Sequence, residues 1–157
     1  MRGNDLTLYE HLFDIKRLPE ILGEARRCGR LEPVNPRIAR LDHVQLAMPE
    51  GREEEADAFY RDLLGFDVLP KPEPLASRGG RWYASGDVQV HLGVDADFRP
   101  AKKAHPALLV DGIDDLAASL ERAGIQPRWE DDRPGMRHCY VDDPFGNRIE
   151  LIDQARR

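Results

Sequence analysis

Among the side chains of this 157-residue sequence that are of types able to hold transition metals, four stand out: His43 in LDHVQLAM, His91 in DVQVHLGV, His105 in AHPALLV and Glu150 in NRIELI. His43 and His91 are separated by nearly the same stretch of chain as His105 and Glu150. Three imidazoles and one carboxylate suit one divalent ion such as Zn, Ni, Fe, Mn or Co. Glu150 is the odd member, an acid inside an apolar, β-branched run. In a strand, Ile149 and Leu151 would point one way and Glu150 the other. A carboxylate placed inward costs free energy unless it is paired, protonated or coordinated, and a metal would supply that compensation. A single histidine in a strand is ordinarily structural or exposed. Four such residues at equivalent places in a repeat argue for a metal site.

The elements that must position them follow from the hydrophobic pattern. LDHVQLAM (41–48) alternates and reads as a strand. REEEADAFYRDLLG (52–65) reads as a helix, acidic in its first turn, where the macrodipole favours carboxylates, with Ala56, Phe59, Tyr60 and Leu63 as an apolar stripe. FDVLP (66–70) is a short strand, KPEPLASRGG (71–80) a loop, and RWYAS (81–85) and DVQVHLGV (87–94) two strands joined around Gly86. The second half repeats the plan. HPALLV (105–110) is a strand, IDDLAASLERAG (113–124) a helix and IQPRW (125–129) a strand. EDDRPG (130–135) is a loop, and MRHCYV (136–141) and RIELI (148–152) are strands joined by DDPFGN. Both halves thus read β-α-β-β-β, and an internal repeat outranks local detail in fixing a fold. The fold class is α+β: module 1 over 40–95 and module 2 over 104–153, linked by FRPAKKA (98–104). Ahead of them, 1–39 reads as a helical arm with helices over 5–29 and the linker LEPVNPR (31–37), too small to fold alone.

The repeat also sorts the side chains by face. Val90 and Leu92 flank His91 as Ile149 and Leu151 flank Glu150, and these apolar neighbours would pack under the helices. Each half-sheet then turns two ligand-type residues to its other face. Gln45 and Gln89 alternate onto that face as donors able to hold an imidazole in orientation. Arg81, Trp82, Tyr83, Lys102, Lys103, Arg137 and Tyr140 are candidate substrate contacts, the cations for a carboxylate or phosphate and the aromatics for an apolar ring. DDPFGN is read as a turn set by Pro144 and Gly146. His11 and His138 have no partner at an equivalent position and are left out of the site.

Composition narrows the function classes. An apolar fraction of 41% and a charged fraction of 33% describe a globular protein. The net charge of -6 argues against nucleic acid as the partner. No apolar run approaches a membrane span, and the N-terminus lacks a signal pattern, so a cytoplasmic protein is expected. Cys28 and Cys139, neither in a CxxC motif, then read as free thiols in a reducing compartment.

LDHVQLAM, FYRDLLGF, HPALLVDGIDDL and especially DPFGNRIELID resemble the vicinal oxygen chelate superfamily of glyoxalase I, bleomycin-resistance proteins, fosfomycin-resistance thiol transferases, methylmalonyl-CoA epimerase and extradiol dioxygenases. The resemblance covers 40–153 and leaves out the arm. It implies two βαβββ modules forming a cup-shaped mixed sheet, a homodimer, and metal ligands on first and last strands, here His43, His91, His105 and Glu150. It further implies a lyase, isomerase or dioxygenase acting on a small substrate chelated through adjacent oxygens. Glu150 or His91 would be the catalytic base on leaving the metal. Glyoxalase I generally carries glutamate at the place of His91, and the fosfomycin enzymes and dioxygenases use two histidines and a glutamate. A four-ligand site, a three-ligand site with His91 free for substrate, and an empty site all stay open. The alternative function is sequestration of a small molecule without catalysis, as in the bleomycin-binding members.

Overall fold

The structure, a computed structural model, describes residues 36–156. Residues 1–35, which hold the expected helices, His11 and Cys28, lie outside the described residues. The unit Arg40–Arg157 has the expected α+β class.

Module 1 consists of β1 (Val44–Met48), α1 (Glu53–Ala56, running on as a π-helical segment Asp57–Leu63), β2 (Asp67–Leu69), a one-turn α2 (Glu73–Ala76), β3 (Arg81–Ser85) and β4 (Val88–Val94). Module 2 consists of β5 (Ala107–Val110), α3 (Ile113–Arg122), β6 (Arg128–Glu130), β7 (His138–Asp142), β8 (Arg148–Asp153) and a closing 3-10 turn (Gln154–Arg156). Each module makes a four-stranded sheet, in the orders β1-β4-β3-β2 and β5-β8-β7-β6. In each, the first strand pairs in parallel with the last and the remaining pairs are antiparallel. A parallel pair needs a crossover between its strands, and that crossover carries the helix.

The alternation in the sequence decides which side is core. Val90, Leu92, Ile149 and Leu151 are each 1% exposed and join Phe59, Tyr60, Ile113 and Leu120 in one apolar cluster drawn from both modules. Each such side chain removed from water contributes ~1.5–3 kcal/mol. In α1 the adjacent Phe59 and Tyr60 are both buried, in the π-helical segment. That segment departs from the regular helix expected over 52–65. The 71–80 loop also contains the turn of helix α2.

The DDPFGN turn joins the modules. Asp143 Oδ1 accepts from the backbone N–H of Phe145 (2.9 Å) and of Asn147 (2.8 Å). Its Oδ2 accepts from Tyr60 Oη of α1 (2.9 Å) and from Asn147 Nδ2 (2.8 Å). Asn147 Nδ2 also donates to the carbonyl of Ala47 in β1 (2.8 Å). Burial pushes the Asp143 carboxyl up, against these four donors, which pull it down.

Candidate functional site

The four ligand-type residues form two pairs. The first lies on the face of module 1 opposite the helix. The ladder sets Gln45, His91 and Trp82 side by side across β1, β4 and β3. His91 is 6% exposed, and its ring lies between two others. Trp82 stacks at 4.3 Å and 8°, and His43, one residue ahead of β1, at 4.1 Å and 18°. His91 Nε2 is buried with no hydrogen-bond partner. Burial first, then the neighbouring His43, hold the His91 imidazole below its ordinary pKa, which keeps the ring neutral with a lone pair to give. His43 Nδ1 lies 2.9 Å from Asp42 Oδ2, and this hydrogen bond lowers the Asp42 carboxyl.

The second pair lies on the corresponding face of module 2. Glu150, 3% exposed, sits in the row Ala107, Glu150, Tyr140, Arg128 across the sheet. His105, two residues ahead of β5, places Nε2 3.3 Å from Glu150 Oε2, while its Nδ1 lies 2.8 Å from the carbonyl of Lys103. A carbonyl can only accept, so Nδ1 carries a proton. At 3.3 Å from the carboxylate, Nε2 is placed either to donate to Glu150 or to share a cation with it. A ligating histidine is commonly oriented by such a bond from its other nitrogen to a backbone carbonyl. Glu150 Oε1 is buried without a hydrogen-bond partner, though the Arg133 guanidinium lies 3.0 Å away as an ion pair. The rings of Tyr140 and His105 meet edge to face at 5.2 Å, and burial pushes the Tyr140 phenol up.

These donors are of types that fit a divalent metal: imidazoles and a carboxylate, with His91 Nε2 buried and without a hydrogen-bond partner. The four do not gather around one point, however. Among the described residues, the single group of three or more His, Cys, Asp or Glu ligand atoms lying within 4.8 Å of one another is Glu130, Asp132 and His138. Each module therefore carries half of the expected set.

The same alternation divides the expected substrate contacts. Trp82 shares the face of His91, and Tyr140 that of Glu150. Arg81 and Tyr83, one residue either side of Trp82, must face the helix. There Tyr83 is fully buried and donates to Asp57 Oδ1 at 2.7 Å, and Arg81 Nε lies 3.2 Å from the same carboxylate. Burial pushes the Tyr83 phenol up. Arg137 also turns to the helix side, pairing with Asp114 and covering the ring of Trp129 at 4.0 Å. Arg81, Tyr83 and Arg137 thus lie on the helix face, away from His91 and Glu150. Lys102 and Lys103 are exposed, and the carbonyl of Lys103 orients His105. Gln45 lies over Gly93, where a Cβ would meet its Nε2 at 2.9 Å, and Gln89 lies opposite Ala84. Among the described residues neither amide bonds an imidazole. A cleft of about 350 Å³ runs along β1 past His105, lined also by Arg99, Pro106 and Asn147.

His138, set aside for want of a repeat partner, is fully buried beside Glu150, with Nε2 3.9 Å from Oε1 and 3.2 Å from Asp132 Oδ1. The signal was available, since His138 is two residues from Tyr140 and a strand returns to the same face at that spacing.

Comparison with known proteins agrees with this architecture. The model of the Glyoxalase/Bleomycin resistance protein/Dioxygenase superfamily matches residues 40–151. A putative glyoxalase family protein from Bacillus anthracis is similar at 46% identity, with a TM-score of 0.73, covering 76% of this chain and 98% of that one. The genomically encoded fosfomycin resistance protein FosX from Listeria monocytogenes shares the fold at 13% identity and a TM-score of 0.61 (74% and 94% covered). So does lactoylglutathione lyase from Agrobacterium tumefaciens, at 18% and 0.58 (74% and 95% covered). No curated protein matches the chain. With a match that spans both modules and their linker, the chain belongs to the Glyoxalase/Bleomycin resistance protein/Dioxygenase superfamily.

Proposed function

We propose that this chain is a divalent-metal-dependent enzyme acting on a small substrate held through adjacent oxygens, and that it works as a homodimer. The single observation behind this reading is the pair of buried ligand-type groups: His91 Nε2 without a hydrogen-bond partner in one module, and the Glu150 carboxylate facing His105 Nε2 at 3.3 Å in the other. His43, His91, His105 and Glu150 would hold the ion. Bound there, it would supply Lewis acidity for polarising the oxygens of a substrate. The half-sets lie apart within one chain, so His43 and His91 of one copy would meet His105 and Glu150 of another. Dimers of two-fold symmetry are the commonest oligomers and would make two such sites.

The chain's own groups then do the rest. Trp82 and Tyr140 flank the ligands and offer ring faces to an apolar part of the substrate. Arg99 supplies a cation in the cleft beside His105. His91, neutral and dehydrated, and Glu150 are the two groups able to take a proton. The acidic balance favours a small molecule over nucleic acid. Among the described residues no helix is long and apolar enough to cross a membrane. The free, buried thiol of Cys139 supports placing the protein in the cytoplasm.

The deciding experiment is elemental analysis of full-length protein purified without chelator, beside His105→Ala. Bound divalent metal that falls at least tenfold in affinity with the substitution is expected. Metal-free protein, or affinity indifferent to His105, overturns the reading. In that event the stack of Trp82, His91 and His43 favours a binding protein that holds an aromatic ligand without catalysis.

A further inference from the structure

We propose that Glu130, Asp132 and His138 form a second site for a divalent first-row transition ion, on the Oε1 side of the Glu150 carboxylate, away from His105. None of these three belongs to the four-residue set above, so the site stands independently of it.

The ladder opposes Glu130 of β6 to His138 of β7, putting both on one face, and Asp132 follows two residues on. Their ligand atoms already lie within 4.8 Å of one another. Around a tetrahedral ion with bonds of ~2.1 Å, ligand atoms lie about 3.4 Å apart. Closing that difference falls to Glu130 and Asp132, both exposed and free to rotate, while His138 is fixed in the sheet.

The histidine is what marks a site rather than a solvated acidic edge. His138 is fully buried, and neither ring nitrogen makes a hydrogen bond. Asp132 Oδ1 stands 3.2 Å from Nε2 without the alignment of a bond. A buried imidazole bonded on neither side is unusual, because folds satisfy such groups. Charge points the same way. Glu130, Asp132 and Glu150 against the single guanidinium of Arg133, 3.0 Å from Glu150 and 4.0 Å from Asp132, leave two negative charges for a divalent ion. An imidazole in the set favours Zn, Co, Ni or Fe over Mg or Ca, which prefer oxygen alone. The open side, at the two exposed carboxylates, is where the ion would enter and keep water ligands. An ion here would put its charge beside Glu150, where Arg133 now stands.

The test uses the full-length chain, stripped by chelator and titrated with Co²⁺, followed by visible absorption and calorimetry. Glu130→Gln/Asp132→Asn alters exposed carboxylates and leaves His138 in place, and thermal melting checks that it folds. The expected result is a class of Co²⁺ sites that this double variant weakens at least tenfold and His105→Ala leaves intact. Zn²⁺ should also shift the His138 ring nitrogens in ¹⁵N NMR spectra of the wild type and not of the double variant. If the double variant titrates like the wild type, Asp132 and His138 are only an ion pair and the proposal fails. If all bound Co²⁺ vanishes in His105→Ala, the second site fails while the four-residue site survives. Co²⁺ retained in His105→Ala and lost in the double variant upholds the second site even where the first proves empty.

Discussion

Glu150 is a residue whose surroundings suit something other than stability. It is 3% exposed, carries one oxygen with no hydrogen-bond partner, and aims the other at His105 Nε2. Arg133 offsets part of the desolvation but approaches a single oxygen. Replacing the carboxylate by an amide of the same shape removes a buried charge and lets the new N–H₂ donate to His105 Nε2. Metal-stripped Glu150→Gln should therefore melt no lower than stripped wild type, and up to a few degrees higher if about 1 kcal/mol is recovered. Added Zn²⁺ should raise the wild-type melting temperature by more than it raises the variant's, which keeps only the Glu130, Asp132 and His138 site. Differential scanning calorimetry with and without the ion separates the two. A variant that melts well below the stripped wild type would mean that the carboxylate is structural. The sequence showed Glu150 as misplaced because its neighbours are apolar. It did not show Arg133, whose approach depends on the path of the EDDRPG loop rather than on any periodicity.

At the scale of elements, the repeat and the period-two alternation carried most of the reading. The order of strands and helix in each module and the faces of His91 and Glu150 follow from them, while the parallel pairing of first and last strands is read from the structure. The same alternation separates side chains grouped as expected substrate contacts, and joins one left out of the site. Arg81, Trp82 and Tyr83 are consecutive and cannot share a face, and His138 shares one with Tyr140. Other features have no periodic signal: the π-helical stretch of α1, the short α2, and the close pass of the chain at Gly80. At Gly80 φ is +79°, and a Cβ would lie 2.2 Å from the carbonyl oxygen of Leu92, backbone that cannot swing aside. At Gly86, between β3 and β4, φ is +55° with nothing within 4 Å. Ala at Gly86 meets only the left-handed conformational penalty, about 1–2 kcal/mol. Ala at Gly80 meets that penalty and a backbone clash, and should lose more than about 4 kcal/mol, in the range reserved for severe mechanisms. Urea unfolding of the two variants gives the ordering. Equal losses would mean that β3 and β4 are not held as closely as the ladder shows.

At the scale of the whole molecule the question is which module completes which. Periodicity places ligands on faces, but which faces meet depends on packing between modules and between copies, and no local pattern encodes that. Here one core cluster unites both modules and the two pairs remain apart, and the proposed dimer would complete each site with a second copy. Complementation tests it. His43→Ala/His91→Ala breaks only the module 1 half, and His105→Ala/Glu150→Gln only the module 2 half. Each alone should lose metal at the four-residue site. In a heterodimer one site receives both broken halves and the other receives both intact halves. Unfolding and refolding an equal mixture gives half heterodimers, each with one of two sites, so about a quarter of the wild-type sites should return. If each chain completes its own site, mixing returns nothing, because every chain carries a broken half. Metal content in excess of that held by either variant alone reads the result, and omitting the refolding step should lower the recovery when subunits exchange slowly.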